Sequence, residues 1–288
     1  MAYLHSMRLN LGRQTLDLGS PRVMGIVNVT PDSFSDPGRH LASDSALEAA
    51  LRMLDEGAAI IDIGGESTRP GSTPVPAAVQ LERILPVIEG LRRESGAPIA
   101  VDTGNAVVMS AAVAAGADMI NDVYALQQPG ALEAAAVSGA GICLMHMRGR
   151  PATMQDAPSY DRLPGDVVAF LSDRVRACRA AGIADDRLVV DPGFGFGKTD
   201  EHNLVLLAGL GELRALGLPV LVGLSRKGTL GRLTGRRVDE RLAAGVAAAV
   251  LAVERGASIV RTHDVAATVD ALKIAAAVLA RAGGSGRD

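Results

Sequence analysis

Eight short apolar runs recur along the chain, separated by Ala- and Leu-rich segments with helical spacing. The runs read VMGIVNV, IIDIGG, PIAVDT, MINDV, GICLMHM, LVVDPG, PVLVGL and IVRTHD. Runs this apolar are typical of strands that are buried on both faces of a parallel sheet. Eight strands, each followed by a helix between residues 23 and 282, predict an α/β fold of the (βα)8 TIM-barrel type. A doubly wound sheet would have about six strands.

The segment before the first run has a different pattern. Residues 7–19, MRLNLGRQTLDLG, alternate around Gly12-Arg13 and predict a β-hairpin. We expect this hairpin to cap the N-terminal mouth, the bottom of the barrel. Because no linker or low-complexity segment interrupts the chain, residues 1–288 are predicted to form one domain, with the barrel at 23–282. The tail GGSGRD, residues 283–288, is predicted to be disordered.

Composition narrows the class of protein. A hydrophobic content of 48% in 288 residues is enough for a large core. A net charge of −3 and an isoelectric point near 6.0 argue against a nucleic-acid partner. Cys143 and Cys178 lie far apart without a CxxC pattern, so we expect buried small hydrophobes in a reducing compartment.

The sequence also argues against a targeting or membrane-spanning segment. The N-terminal residues MAYLHSMRLNLGRQ contain no continuous apolar stretch, which argues against a signal peptide. The longest apolar run, residues 242–253, is too short to span a bilayer. We therefore expect a cytoplasmic protein with no membrane partner.

Polar residues cluster where the predicted strands end. They are Asn28, Asp102, Asn121, His146, Asp191, Ser225, Lys227, Arg261 and His263. Active sites of TIM barrels lie at the C-terminal ends of the strands, because these ends are rigid and the following loops can vary. One polar residue at a strand end could simply cap the strand, but nearly every strand ends in one. The pattern favours a functional site.

Two kinds of chemistry are represented in this cluster. Carboxylates, an amide and an amine suit a flat, nitrogen-rich heterocycle, since a carboxylate accepts paired hydrogen bonds from adjacent N–H groups; they are Asp102, Asn121, Asp191 and Lys227. Basic residues suit an anionic ligand; they are Arg69, Lys227, Arg261 and His263, with Arg39 and Lys198 nearby. For Arg39 and Lys198 we favour a role in surface solubility. Arg261 and His263 alternate along one strand and are expected to point to the same side.

The stretch DPGFGFGKT, from Asp191 to Thr199, resembles a phosphate-binding loop without matching one. Its glycine spacing misses both the P-loop and the dinucleotide fingerprint by one residue. Three of the four phenylalanines, Phe34, Phe194 and Phe196, fall in predicted loops at the strand ends, where core packing does not account for them. We expect Phe194 and Phe196 to offer a ring to a planar ligand.

Other catalytic patterns are disfavoured. The sequence has no HExxH motif and no Cys/His cluster, which argues against zinc. Asn28 could contribute one oxygen to a Mg²⁺ ion whose other ligands are water and substrate phosphates. Ser225 has no His or Asp partner in its local sequence, and GLSRKG lacks the GxSxG pattern of a nucleophilic serine.

Seven of these stretches occur in the order of a known family. GIVNVTPDSFSD, DIGGESTRPG, INDV, CLMHM, DPGFGFGK, LVGLSRKG and RTHDV resemble the motifs of the dihydropteroate synthase family, pterin-binding enzymes of folate biosynthesis that sulfonamides target. The resemblance extends from Val23 to the last helix. It implies a transferase that joins 6-hydroxymethyl-7,8-dihydropterin diphosphate to 4-aminobenzoate, with Mg²⁺, and releases 7,8-dihydropteroate and diphosphate.

The resemblance also implies roles for individual residues. It places the pterin ring on Asp102, Asn121, Asp191 and Lys227, and the diphosphate on Arg261 and His263. It places Mg²⁺ on Asn28, and Thr68 against the substrate. Ser225 is expected to face the aminobenzoate carboxylate near a helix N-terminus, with Phe196 and Arg69 closing that pocket. In a dissociative displacement, catalysis would fall to Asp102, Lys227, Arg261 and Asn28, with Asp102 stabilising positive charge on the pterin methylene.

The chain departs from the family pattern in three places. Pro37 stands where Gly is usual, Gly104-Asn105 where Ser-Lys is common, and Tyr124-Ala125 where a small residue and Gly are usual. These changes bear on loop closure and affinity more than on reaction type.

Two alternatives to the synthase remain. A pterin-dependent methyltransferase is disfavoured by the Arg261-His263 pair and by the complete NVTPDSFSD and ESTRPG loops. A pterin-binding paralogue without catalysis would retain the same motifs.

The last two predicted helices are apolar around much of their circumference, so we predict a homodimer that forms through them.

Overall fold

The computed structural model describes residues 7–30, 39–67 and 71–282, with the backbone alone at 39–42 and 282. The predicted hairpin is present: β1 (Arg8–Asn10) pairs antiparallel with β2 (Thr15–Asp17). The predicted tail, residues 283–288, lies outside the described residues. Within those residues, no helix is long and apolar enough to cross a membrane.

Eight parallel strands form the central sheet, and they coincide with the eight apolar runs. They are β3 (Arg22–Asn28), β4 (Ile60–Gly64), β5 (Ile99–Asp102), β6 (Met119–Asp122), β7 (Gly141–Met145), β8 (Leu188–Asp191), β9 (Leu221–Gly223) and β10 (Ile259–Thr262). The spatial order is β8-β7-β6-β5-β4-β3-β10-β9. A parallel bridge between Val190 and Val220 joins the two end strands, and the Val190 N–H donates to the Pro219 carbonyl over 3.0 Å. The predicted barrel is confirmed.

Helices follow every strand of the barrel. They are α1 (Arg39–Asp55), α2 (Ala77–Glu94), α3 (Ala106–Ala115), α4 (Ala131–Ser138), α5 (Gly165–Ala180), α6 (Asp200–Ala208), α7 (Gly228–Thr234), α8 (Leu242–Glu254) and α9 (Val265–Ala282). Short 3-10 turns occur at Asp185–Arg187, Leu210–Leu216 and Val238–Glu240. After β9 the chain forms two helices, α7 and α8, before it returns to the sheet.

The lower layer of the barrel interior is apolar. Because side chains alternate along a strand, every second residue faces inward. The inward residues near the strand starts form one buried cluster with three hairpin leucines, Leu9, Leu11 and Leu18; the barrel members are Met24, Ile60, Ala100, Met119, Cys143, Val189, Leu221 and Ile259. The hairpin therefore covers the N-terminal mouth, as predicted. Cys143 and Cys178 are both free and buried.

The next inward position on several of these strands is polar. Two residues beyond the apolar layer stand Asp62, Asp102, Asn121, Asp191 and Arg261. The first four are buried in the barrel. The apolar layer and the hairpin exclude water from below, so this polar layer can be reached by a ligand only from the C-terminal side of the strands.

Candidate active site

Neighbouring strands place three of the predicted site residues side by side. In the sheet register Gly64 lies beside both Asn28 and Asp102, and Asp102 lies beside Asn121. Gly64 leaves open space here. A Cβ atom built on it would lie 3.7 Å from Asn28 Oδ1 and 3.5 Å from the Asp102 Cβ. The missing side chain therefore creates a small gap between an amide oxygen and a carboxylate.

Arg261 crosses the barrel and joins two carboxylates. Its Nε donates to Asp62 Oδ2, and its Nη2 donates to Asp102 Oδ2 over 2.9 Å. Asp62 Oδ2 also accepts from the Asn121 amide over 3.0 Å. Asp62 thus connects two predicted substrate-binding residues, although it was not itself among the residues selected from the sequence. Its inward position two residues after Ile60 was the one available signal.

Burial and charge set the protonation of this group. Burial raises the pKa of Asp102 to about 7 against the opposing effect of Arg261, and the nearby Asp62 carboxylate raises it further. Although burial disfavours the guanidinium cation, Asp62 and Asp102 hold the pKa of Arg261 above its ordinary value. The Oδ1 atoms of Asp62 and Asp102 are buried without a hydrogen-bond partner among the described residues. Asp102 therefore retains an acceptor for the N–H groups of a ligand.

The end of β8 supplies the opposite side of the site. Asp191 Oδ1 accepts the Gly193 N–H over 2.7 Å. The Lys227 ammonium lies 4.3 Å from the centre of the Phe196 ring. Burial raises the pKa of Asp191 to about 6 against the Gly193 N–H and Lys227. Burial lowers the pKa of Lys227 to about 8, an effect to which Arg261 adds and which Asp191 opposes.

The structure corrects two predictions about the DPGFGFGK loop. Phe194 is only 2% exposed and belongs to the main hydrophobic core, so Phe196 alone of the two rings is partly exposed. Lys198 is also 2% exposed. Its ammonium donates to the carbonyls of Gly193 and Phe196 over 2.9 and 3.1 Å, so a role in surface solubility was wrong. Sequence spacing could not reveal that the loop folds over its own lysine.

Glycine is required where this loop meets β7. Gly193 has a φ of 67°, and a Cβ atom there would lie 1.9 Å from the His146 carbonyl oxygen. Any side chain would therefore displace either the loop or the end of β7. The glycines allow close packing of backbone on backbone, a role different from phosphate binding.

Ser225 and His263 meet although they are distant in sequence. Ser225 Oγ lies 3.1 Å from His263 Nδ1, and the His263 N–H donates to the same oxygen over 3.2 Å. The partner of Ser225 comes from the neighbouring strand, which local sequence could not indicate. Ser225 lies just ahead of α7, whose N-cap residue is Lys227. The pair is thus placed at the rim, beside Lys227.

Several predicted residues lie outside the described part of the structure. These are Thr68, Arg69, Phe34 and Pro37, together with the side chain of Arg39. The start of the second loop is described. Glu66 accepts from the Val75 N–H over 2.9 Å and from the Gln80 amide over 3.1 Å. In the described part of the chain, no group of three or more His, Cys, Asp or Glu is placed to hold a metal ion.

A barrel with buried carboxylates, an amide and two cations at its strand ends has the architecture of an enzyme for a small polar heterocycle. Comparison with known proteins is more specific. The sequence matches the pterin-binding enzyme family over residues 24–263. It is 48% identical to dihydropteroate synthase of Haemophilus influenzae over 268 residues, which cover 93% of this chain and 98% of that protein.

Two solved structures of Xanthomonas albilineans dihydropteroate synthase are similar in sequence and in fold. One contains 4-aminobenzoic acid and is 54% identical, with a TM-score of 0.90, covering 95% of this chain and 98% of that one. The other is a complex with 7,8-dihydropteroate and is 48% identical, with a TM-score of 0.86, covering 96% and 99%. The chain therefore belongs to the pterin-binding enzymes and, within them, to the dihydropteroate synthase family.

Proposed function

We propose that this chain condenses 6-hydroxymethyl-7,8-dihydropterin diphosphate with 4-aminobenzoate and releases 7,8-dihydropteroate and diphosphate. The observation that carries the proposal is the group of polar residues at the strand ends of a chain of this family: Asp102 lies beside Asn121, and Lys227 is close enough to Asp191 and Asp102 for their charges to act on it. The Xanthomonas relative binds both 4-aminobenzoic acid and 7,8-dihydropteroate. Those complexes support the same two substrate classes here.

Pterin recognition follows from donors and acceptors. Asp102 and Asp191 accept hydrogen bonds from the amino group and ring N–H groups, while Asn121 and Lys227 donate to ring acceptors. The pterin ring carries both donors and acceptors, so only a site with both acceptors and donors can pair all of them. Removing either a donor or an acceptor from the site leaves a buried polar group unpaired. Phe196 lies against Lys227 and offers a face to the second, aromatic substrate.

The reaction is a displacement at the pterin methylene. The C–O bond to diphosphate breaks, and its electron pair leaves with the diphosphate. The arylamine lone pair then forms the new C–N bond, and the nitrogen loses a proton to water. Asp102 stabilises the positive charge that develops on the pterin. A neutral arylamine needs no strong base, so the site needs charge stabilisation rather than a general base.

Cations and hydroxyls at the rim suit the leaving group. We assign Arg261 and His263 to the diphosphate and Ser225 to the aminobenzoate carboxylate; the contact between Ser225 and His263 near the start of α7 supports these assignments. Thr68 and Arg69 would complete these contacts from the second loop.

A magnesium ion fits the oxygen donors that are present. Asn28 Oδ1 borders the gap at Gly64 opposite the Asp102 carboxyl group. Magnesium commonly uses one or two protein oxygens, with water and substrate phosphates as its other ligands. When bound, the ion would neutralise charge on the departing diphosphate. A chelator should abolish diphosphate binding by the wild-type protein, and added Mg²⁺ should restore it. In Asn28→Ala, added Mg²⁺ should not strengthen diphosphate binding.

The same proposal includes a homodimer through α8 and α9. Several large apolar side chains on these helices remain exposed, including Leu251 at 41%, Ile274 at 69% and Val278 at 61%. Ile274 and Val278 are four residues apart and lie on one face of α9, away from the barrel. A second copy of this surface would bury them.

The decisive experiment measures diphosphate release from the pterin diphosphate with Mg²⁺, with and without 4-aminobenzoate, together with dihydropteroate formation. Release that depends on 4-aminobenzoate and equals dihydropteroate formation supports the synthase. Tight pterin binding without dihydropteroate would instead identify a non-catalytic paralogue.

A further inference from the structure

Lys198 is one of only three lysines among the 29 basic residues of the sequence. Lys273 lies on the surface of α9, Lys227 lies in the site, and Lys198 is 2% exposed. Removing an ammonium group from water is unfavourable unless every N–H is paired. An apolar residue at this position would avoid the cost of burying the ammonium. The buried lysine therefore indicates a specific role.

Three acceptors surround the Lys198 ammonium and match its three N–H groups. These are the carbonyl oxygens of Gly193 and Phe196 and the Nδ1 atom of His146 at 2.9 Å. An ammonium has no lone pair, so His146 must accept at Nδ1 and carry its own proton on Nε2. Burial and the adjacent Lys198 lower the pKa of His146 to about 3, which keeps the ring neutral.

The carbonyl groups that Lys198 binds bracket the loop between β8 and α6. Other loop groups are also paired: the Gly195 carbonyl accepts from Gln155 over 2.7 Å and the Gly197 carbonyl from the Tyr160 hydroxyl over 2.8 Å. Of the side chains in these contacts, only Lys198 binds two loop carbonyls at once. Together with the Phe196 N–H, which donates to the Gly193 carbonyl over 3.1 Å, it therefore holds Gly193, which binds Asp191, close to Phe196, which contacts Lys227.

Charge links Lys198 to the same residues. Burial lowers the pKa of Lys198 to about 7, Asp191 opposes that shift, and Lys227 adds to it. In return, the Lys198 charge lowers the pKa of Asp191, although by less than the Gly193 N–H, Lys227 and Arg261 do. The other groups that face it are His146, Arg148 beside His146, and the Tyr160 ring at 5.8 Å from Nζ.

We propose that Lys198 is a positioning residue that holds the β8–α6 loop so that Asp191 and Phe196 face the substrates, and that its charge favours the ionised form of Asp191. The inference rests on the proposed function, because it assigns Asp191 and Phe196 to the two substrates. We assign no substrate contact to Lys198 itself, because its ammonium is buried and its three N–H groups are paired within the protein.

Lys198→Met tests both parts of the proposal. We expect the KM for pterin diphosphate and the Kd for 7,8-dihydropteroate to rise by at least about 10-fold, because the loop loses a charged hydrogen-bond donor. We also expect the acidic limb of the pH profile for kcat/KM to move to higher pH, because Asp191 loses a favourable positive charge. A residue that only stabilises the fold would leave that limb in place.

Two further variants separate the effects of geometry and charge. Lys198→Gln retains N–H donors without the charge, so it should recover part of the affinity while the acidic limb stays shifted. Lys273→Met makes the Lys→Met change on the surface of α9 and should leave the KM, the Kd and the pH profile unchanged. A folded Lys198→Met protein with wild-type affinity and a wild-type acidic limb would overturn the proposal.

Binding measurements keep this test separate from the proposed reaction. If the wild-type protein binds 7,8-dihydropteroate but makes none, the synthase assignment fails, while the Kd comparison still tests Lys198. If Lys198→Met does not fold, ¹⁵N-lysine labelling of the wild-type protein gives three Nζ signals to compare. A Lys198 signal that exchanges with solvent as fast as that of Lys273 would then overturn the buried, fully paired ammonium.

Discussion

Gly104 and Tyr124 form an interlocked pair, and a double-mutant cycle tests it directly. Gly104 is buried just after β5, and Tyr124 lies in the turn after β6. A Cβ atom on Gly104 would lie 2.4 Å from Tyr124 Cδ2 and 2.9 Å from Cε2, distances that real side chains do not adopt. Asp122 Oδ1 would be 3.1 Å away, which is tight but tolerable. The tyrosine ring thus fills the space that glycine leaves.

The size of the effect follows from opposing contributions. In the wild-type background, Gly104→Ala forces the ring to move, and overpacking of this kind costs about 1–3 kcal/mol. Replacing glycine by alanine also restricts the unfolded chain, which returns about 0.4–1 kcal/mol where the backbone conformation is compatible. We therefore expect Gly104→Ala to lower the free energy of unfolding by about 1–2 kcal/mol.

The sign changes when the ring is absent. In a Tyr124→Ala background the clash disappears and the entropic gain remains, so Gly104→Ala should be neutral or stabilising by about 0.4–1 kcal/mol. The coupling energy of the cycle should therefore exceed about 1 kcal/mol. The same four proteins can be compared by their KM for pterin diphosphate. A KM that Gly104→Ala raises should fall again in the double variant, because Tyr124 lies close enough to Glu66 and Asp102 for their charges to act on it.

Urea unfolding followed by far-UV circular dichroism suits this measurement, since the chain contains no tryptophan. The four proteins of the cycle need equal m-values for their free energies to be compared. If the two substitutions add to within about 0.3–0.5 kcal/mol, the ring and the glycine are energetically independent and the packing account is wrong.

Four further outcomes are expected. Asp102→Asn should lower kcat by about 100-fold or more and lower pterin affinity far less, because the asparagine oxygen still accepts a hydrogen bond but carries no charge, whereas equal losses in both would exclude charge stabilisation. Asp62→Asn should raise the KM for pterin diphosphate about 10-fold in steady-state kinetics. It should also lower the free energy of unfolding in urea by about 3 kcal/mol. An unchanged KM would show that Asp62 is not linked to the site. Because the pKa of Asp191 is raised to about 6, lowering the pH below 6 protonates it and should weaken pterin binding in calorimetry; the weakening should be smaller in Asp191→Asn, where Asp102, whose pKa is raised to about 7, still titrates. Ile274→Glu should convert a dimer to a monomer in sedimentation, while Val137→Glu, 86% exposed on α4, should not; a wild-type monomer would exclude the dimer.

The sequence was sufficient for the fold because its signals are repetitive. Eight apolar runs and eight intervening helices leave few alternatives, and the alternating hairpin could be recognised from Gly12-Arg13 alone. The strand ends were equally readable, since a polar residue directly after a buried strand has few structural explanations. Asp102, Asn121 and Asp191 could thus be selected before any coordinates.

Contacts between distant segments could not be read in this way. Lys198 was assigned to the surface from its place in a glycine-rich loop, but two loop carbonyls and His146, 52 positions earlier in the chain, supply acceptors for its buried ammonium. Ser225 finds its histidine 38 residues away. Phe194 stands in a glycine-rich loop but turns into the core. The histidine partners of Lys198 and Ser225 come from the ends of neighbouring strands of the barrel, and sequence spacing contains no information about them.

Asp62 has a physical role that becomes clear when the buried charges are counted. The polar layer and the residues beside it contain three carboxylates, Asp62, Asp102 and Asp191, and three cations, Arg261 within the layer and Lys198 and Lys227 beside it. A buried layer of equal and opposite charges is tolerable, whereas an uncompensated charge costs several kcal/mol. Arg261 contacts two of the carboxylates, so under the proposed function it would keep its bond to Asp62 while the Asp102 carboxylate binds the pterin. Asp62 would thereby let Asp102 exchange partners without leaving a buried guanidinium unpaired, which is why its loss should affect both stability and pterin affinity.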